Sequence, residues 1–365
     1  MTAPRFLISG YYGFGNLGDE ALLDAIVERL RSRYPGATID VLSNDPAGTA
    51  SRLGVEATPR ADPRAVRRAI ARADVVLSGG GGLMQNVTSL RSLLYYAGIV
   101  RAATRARKHT MIFAQSIGPL DRWGRLVVGA CCSRVAAATV RDERSRALFA
   151  SIVPNVRVER TADPVFLLEP GNEPLDLRAE GLDGPGPLVV VSVRRWQGHD
   201  ATVGLLAAAV DRLAERHGAQ VAFLPLGGAP DADASTSVIR RARSTPVLLP
   251  AYPIHQAMQV LGRASLVIGM RLHALILAAR MGVPFTALPY DPKVTSLLED
   301  LRYPLPALFV PGARGTAPEE MLQRVDDAWE RRHELAAHLR AIMPEIRRLA
   351  ERNFDVLDDV LTGKS

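Results

Sequence analysis

The sequence predicts an α/β protein built of two Rossmann-like domains facing across a cleft, and three observations carry that reading. Strand and helix signals alternate along the chain, the pattern of parallel sheets wrapped by helices. The segment 171–187, crowded with glycine and proline and without periodicity, separates two such series. The length, 365 residues, suffices for two domains with a core each.

Short apolar, β-branched runs place strands in the first half near Arg5–Ser9, Thr38–Ser43, Asp74–Ser78, Thr110–Ala114, Ala137–Val140 and Val156–Arg160. The second series has them near Leu188–Val193, Gln220–Pro225, Val247–Leu249, Leu266–Gly269 and Phe285–Leu288. The expected division is a first domain over 1–170, the linker 171–187, a second domain over 188–318 and a charged helical tail over 319–365, in which Pro344 should break or kink a helix.

Composition narrows the function. Hydrophobic residues make up 47% of the chain, yet no apolar run reaches the roughly 20 residues of a membrane span. The opening Met-Thr-Ala-Pro-Arg-Phe-Leu-Ile-Ser-Gly enters a strand directly and lacks a signal-peptide layout, so a cytoplasmic location is expected. Cys131 and Cys132, adjacent in a helical pattern, suit packed small hydrophobes, and neither a disulfide framework nor a metal site is expected. A formal charge of +7 favours anionic partners: phosphates, acidic glycans or an anionic membrane surface. Nucleic acid is disfavoured, because aromatics are only 5% and no nucleic-acid motif is present. The basic helix of residues 62–72, with Val66 and Ile70 opposite its arginines, has two readings, a surface resting on anionic lipid and, more simply, a solvated face, and the second is preferred. Lys108, Lys293 and Lys364 are the only lysines, which singles out an internal one.

Polar and glycine-rich groups recur at strand ends, the edge where open α/β sheets take ligands. Gly13-Phe-Gly-Asn-Leu-Gly18 matches a dinucleotide fingerprint, but Asp19 and Glu20 follow at once and would repel a pyrophosphate at a helix start. Carboxylates there suit sugar hydroxyls or a general base, with Gly15 and Asn16 beside them; the alternative is a purely structural glycine turn. The Gly79–Gly82 loop, with Gly80 and Gly81 at its centre, allows close backbone approach. Gln115 and Ser116 head the next strand end, and Arg141 the one after. In the second half Arg194 and Arg195 end one strand, with Arg194 preferred for the ligand side by strand alternation. Arg271 and His273 end another, and Asp291 and Lys293 the last, Lys293 in the first turn of a helix after Pro292. An arginine forks carboxylate or phosphate, and a histidine exchanges protons near neutrality.

Together Tyr11-Tyr-Gly-Phe-Gly-Asn-Leu-Gly-Asp-Glu-Ala21, Gly79–Gly82, Gln115-Ser-Ile-Gly-Pro119, Val140-Arg-Asp-Glu143, Met270-Arg-Leu-His-Ala274 and Tyr290-Asp-Pro-Lys293 resemble the polysaccharide pyruvyl transferase family, most closely its CsaB type. The resemblance spans nearly the whole chain. It implies a fold similar to GT-B glycosyltransferases and a pyruvyl group passing from phosphoenolpyruvate, as a ketal, to a sugar of a lipid-linked cell-wall precursor, typically N-acetylmannosamine. Phosphoenolpyruvate would be a co-substrate, with no metal or redox cofactor. His273 becomes the candidate acid, Arg271, Lys293, Arg141 and Arg194 the donor-binding cations, and Gly15, Asn16, Asp19, Glu20, Gly80, Gly81, Gln115 and Ser116 the acceptor side. Two rivals share the architecture: a glycosyltransferase using a nucleotide sugar, and a non-catalytic glycan- or phosphate-binding protein.

Overall fold

In a computed structural model the structure describes residues 3–87, 89–172, 174–195, 199–289, 292–308 and 318–363. The chain forms two compact units, Met1–Leu168 with Ile346–Ser365, and Glu169–Glu345.

The first unit holds a parallel sheet in the order β3-β2-β1-β4-β5-β6-β7. Its strands are β1 Arg5–Tyr12, β2 Thr38–Ser43, β3 Glu56–Pro59, β4 Val75–Met84, β5 His109–Ile117, β6 Ala137–Val140 and β7 Val158–Arg160. Between them run α1 Leu17–Arg33, α2 Pro46–Leu53, α3 Pro63–Arg72, α4 Leu90–Arg105, α5 Arg122–Cys132 and α6 Glu143–Ile152. Helices cover both faces of a parallel sheet, so its central strands must be apolar on both sides. Phe6, Leu7 and Ile8 of β1 and Val75, Val76 and Leu77 of β4 accordingly have no exposed surface. Asp62 caps α3 by accepting from the backbone N–H groups of Arg64 and Ala65, and the helix buries Ile70 while its arginines face solvent.

The second unit repeats the plan with five parallel strands, in the order β10-β9-β8-β11-β12. They are β8 Leu188–Ser192, β9 Gln220–Phe223, β10 Val247–Leu248, β11 Ala264–Gly269 and β12 Phe285–Ala287. The helices are α7 His199–His217, α8 Ala229–Ile239, α9 Ile254–Gly262, α10 Leu272–Arg280, α11 Pro292–Asp300 and α12 Pro318–Glu330. A final helix, α13 Arg332–Thr362, closes the chain.

Four details differ from the sequence expectation. The edge strand β3 was not foreseen: four residues containing a glutamate and a proline carry no strand signal, and only pairing with β2 extends them. The four glycines Gly79–Gly82 form no loop; they lie inside β4, which pairs with β5 from Val75↔His109 to Met84↔Ile117. Pro344 does not end its helix, and α13 runs through it for 31 residues. Residues 319–365 form no separate tail either. The units divide after Glu345, and the last residues return to the first unit. There Asn353, fully buried, accepts from the Thr161 hydroxyl and donates to the Ala162 carbonyl, while Phe354 packs edge-on against Phe113.

Candidate functional site

Each sheet has one topological switch point, where the strand order reverses and adjacent strand ends splay apart. Open α/β sheets bind ligands there. In the first unit the switch falls between β1 and β4, paired at Ser9↔Ser78. In the second it falls between β8 and β11, paired at Ser192↔Gly269.

At the first switch point, β1 leads through Gly13 and Gly15, both at positive φ, into α1. A Cβ on Gly13 would come within 2.3 Å of the Ser43 hydroxyl and 2.5 Å of the Asp45 nitrogen, so the turn needs glycine for space as well as torsion. Gly80 and Gly81 also take positive φ, and a Cβ on Gly80 would overlap Leu22. The Tyr12 hydroxyl donates to the Gly79 carbonyl at 2.7 Å and ties the two glycine segments together. Burial pushes that hydroxyl well above the ordinary tyrosine value, and the nearby Asp19 and Glu20 carboxylates push the same way, so Tyr12 is a neutral, permanent donor.

The two carboxylates have separate surroundings. Asp19 accepts from the Asn16 amide, and a Cβ on Gly81 would lie 3.2 Å from its Oδ1, so Asn16, Asp19 and Gly81 converge. Glu20 turns to the frame: Oε1 accepts from the Gly13 N–H at 2.8 Å and Oε2 from Arg52 at 2.7 Å. Burial raises the Glu20 carboxyl above its ordinary range, against the opposing pull of Gly13 and Arg52. Gln115 is fully buried, its amide donating to the Ser78 carbonyl at 2.7 Å and hydroxyl at 2.9 Å, and Ser116 is buried in β5. Gly15 and Asn16 keep solvent access. Arg141 is also buried, its Nε donating to the Ala114 carbonyl at 2.7 Å and its Nη1 2.6 Å from Asp163. Its buried Nη2 has no hydrogen-bond partner among the described residues.

Sequence reasoning passed over the aromatic lip of this turn. Tyr11 and Phe14, 41% and 40% exposed, stack with centroids 4.1 Å apart, and the Arg60 guanidinium lies over Phe14, Tyr95 and Tyr96. Two exposed aromatics three residues apart in a turn were the available signal.

At the second switch point, Arg194, two residues past the end of β8, is half-buried and Arg195 is exposed. Arg271 follows β11 as the residue before α10, and His273 stands half-buried in the first turn of that helix. Lys293, half-buried, lies in the first turn of α11 beyond β12, which pairs with β11 at Gly269↔Ala287. All four therefore belong to one sheet edge. Tyr290, Asp291 and Trp196, parts of the same motifs, lie outside the described residues, as does Lys364.

A further residue completes this edge. Asp231, fully buried in the first turn of α8, accepts from Arg271 twice, from Nε at 2.7 Å and from Nη2 at 2.5 Å. The fork fixes the guanidinium plane and turns the Nη1 side away from Asp231. Gly227 makes room, since a Cβ there would sit 2.0 Å from Nη2. The signal was Gly227-Gly228 after β9 with an acid three residues on; it reads as a turn and helix start, and nothing local points to a partner forty positions away. The second unit also has a hollow of about 900 Å³ lined by Leu175, Asp176, Arg178, Gln220 and Arg263. It lies at the amino-terminal ends of β8, β9 and β11, opposite the cationic edge, so volume and chemistry mark different places; open α/β sheets take ligands at the carboxyl ends of their strands, where the cations are.

Two parallel α/β units in sequence define a GT-B-like architecture, and solved structures share it. S. aureus MnaA, in a co-structure with UDP, superposes with a TM-score of 0.68 at 10% identity, covering 98% of this chain and 97% of that one. A glycosyltransferase from Rickettsia africae gives 0.66 at 10%, with 99% of each chain covered. Anabaena HepE, in complex with UDP-glucose, gives 0.65 at 12%, with 98% and 100% covered. At such identities the likeness shows the fold. No curated protein matches the sequence. The family model for polysaccharide pyruvyl transferase matches residues 16–292, and the chain belongs to that family of transferases. Among the described residues no helix is long and apolar enough to cross a membrane.

Proposed function

We propose that this enzyme transfers the pyruvyl group of phosphoenolpyruvate to a sugar of a lipid-linked cell-wall polysaccharide precursor, in the manner of the CsaB type, with N-acetylmannosamine as the acceptor and no further cofactor. The observation that carries the reading is the single sheet edge bearing Arg194, Arg271, His273 and Lys293, with Arg271 held by Asp231. A carboxylate and a phosphate on one small molecule call for several cations at once.

On this reading His273 delivers a proton to the methylene carbon of phosphoenolpyruvate and C2 becomes electrophilic. A sugar hydroxyl adds to C2 and gives up its proton, for which Asp19 is the candidate base. The C2–O bond to phosphorus-bearing oxygen then breaks, and phosphate departs with the bonding pair while Arg194, Arg271 and Lys293 neutralise its charge. A second hydroxyl adds to C2 and loses its proton, which closes the ketal. Atoms balance without water: one diol and one phosphoenolpyruvate give one ketal and one phosphate. The exposed Tyr11–Phe14 pair near Asn16 and Asp19 suits the apolar face of a sugar ring, and the acceptor is assigned to the first unit for that reason.

The test is phosphate release from phosphoenolpyruvate with and without a lipid-linked disaccharide carrying N-acetylmannosamine. Acceptor-dependent release with ketal formation is expected. Thermal stabilisation by UDP-sugars with none by phosphoenolpyruvate would transfer the chain to the nucleotide-sugar reading.

A further inference from the structure

We propose that the outer face of α4 and α5 in the first unit docks on an anionic lipid bilayer. The inference rests on this surface alone and stands whether or not the acceptor carries a lipid. Ordinary helices on a sheet bury their apolar stripe and expose polar residues. These two do bury one, through Leu93, Tyr96 and Val100 of α4 and Val128 and Cys132 of α5, but each exposes a second. On α4 it runs through Leu90, Leu94, Gly98 and Ala102, spaced by four and all exposed; on α5 through Trp123, Leu126 and Ala130. Leu94, Trp123 and Leu126 are 50%, 57% and 63% exposed, and Val87, just before α4, is 72% exposed. The stripes are neighbours. The Asn86 side chain accepts from the Asp121 N–H at the start of α5, and Arg101 of α4 donates to the Ala130 carbonyl of α5.

Charge selects the occupant. Residues 89–134 contain eight arginines and lysines and one acid, Asp121. That acid is engaged, capping α5 through the Gly124 N–H at 2.7 Å. Arg91, Arg122 and Arg125 are exposed beside the apolar stripes, with the Arg122 guanidinium 5.1 Å from the Trp123 ring centroid. A second copy of the same surface would set these cations against each other. A bilayer with anionic headgroups accepts both features: indole and leucine enter the interface while guanidinium groups meet phosphates. Because α4 and α5 begin at the carboxyl edge of β4 and β5, the surface adjoins the edge that carries Asp19 and Gly81.

Co-sedimentation of the full chain with extruded vesicles tests this. Vesicles of equal parts phosphatidylglycerol and phosphatidylcholine should carry the protein down, phosphatidylcholine alone should not, and high salt should release it. Arg122→Glu with Arg125→Glu should weaken partitioning by about fivefold per arginine or more, and Trp123→Ser with Leu126→Ser by about tenfold. Melting curves establish that both variants fold, and transfer to a soluble acceptor without a lipid tail should proceed at the native rate in each. Absence of sedimentation, or sedimentation that neither variant weakens, overturns the proposal. So does a dimer in analytical ultracentrifugation that Trp123→Ser dissolves, which would assign the face to a second copy. Failure of phosphoenolpyruvate turnover leaves the vesicle result untouched, so the two ideas fail separately.

Discussion

Asp231 holds Arg271 through two hydrogen bonds, from Nε at 2.7 Å and from Nη2 at 2.5 Å, although forty residues separate them in the chain. An arginine so clamped presents one orientation of its remaining donors. Asp231→Asn keeps the shape but replaces one acceptor by a donor, so Arg271 should lose its fixed plane. We expect catalytic efficiency with phosphoenolpyruvate to fall roughly 10–100-fold, the cost of misplacing a binding group by about an ångström. Gly227→Ala should act on the same guanidinium by steric push, and the double variant should be scarcely worse than either single one. Additive losses in steady-state kinetics would contradict a shared cause.

His273 and Lys293 should separate kinetically. A phosphate contact present before and during reaction contributes uniform binding, whereas a proton donor acts in the transition state. Lys293→Ala should mainly raise KM for phosphoenolpyruvate, and His273→Ala should mainly lower kcat, by about 10²–10⁴. The same change in both parameters for both variants would sink the division of labour.

Asp19 and Glu20, adjacent in sequence, should behave differently. Asp19→Asn should leave phosphoenolpyruvate binding intact and impair transfer. Glu20, fastened to Gly13 and Arg52, should appear chiefly in stability. Its folded-state proton affinity is raised by burial, so the folded protein binds that proton more tightly than the unfolded chain does. Stability from this residue is full below the ordinary glutamate value and declines as pH rises through the raised one. Relative to Glu20→Gln, the native protein should therefore lose ground as pH rises above the ordinary glutamate value, about 4.3. Melting temperatures above that value measure it, and a trend of opposite sign would be decisive against it.

Asp211 on α7 gives the reverse sign. Burial pushes its carboxyl up, but the Ser244 hydroxyl and the backbone N–H groups of Arg243 and Ser244, at 2.6 to 3.0 Å, outweigh this and bring it below the usual aspartate value. Its contribution is present above the unfolded value, about 3.9, and is lost as pH falls through the lowered one. Asp211→Asn should cost about 2 kcal/mol near neutrality, with the difference shrinking in acid. Denaturant titrations at two pH values suffice.

The main strands were legible because runs such as Val75-Val76-Leu77 are apolar on both faces, which a doubly covered parallel sheet demands. The ends of β8 and β11 were legible for the same reason, just ahead of Arg194 and Arg271, whereas β1, β4 and β5 run past the expected ends at Ser9, Ser78 and Ala114. What escaped depends on distance or on tertiary override. Gly79–Gly82 carry no strand propensity and extend only because β5 pairs with them. Pro344 lacks an N–H yet stays helical, with Leu339, Met343 and Ile346 buried on either side of it. Gln115 looks like a polar head in sequence, but its partner Ser78 belongs to another strand. Asp231 looks like an ordinary first-turn acid until β8 is laid between β9 and β11.

The return of the last twenty residues to the first unit has a consequence for synthesis. Asn353 satisfies Thr161 and Ala162, Phe354 meets Phe113, and Arg33 bridges Asp355 and Asp358. On the ribosome these partners emerge after the whole second unit. The half that is made first is thus completed only after the second unit has been made, and until then Thr161 and Phe113 lack their Asn353 and Phe354 contacts. A premature stop after Glu345 would spare every candidate catalytic residue and still leave the first unit without its closing helix.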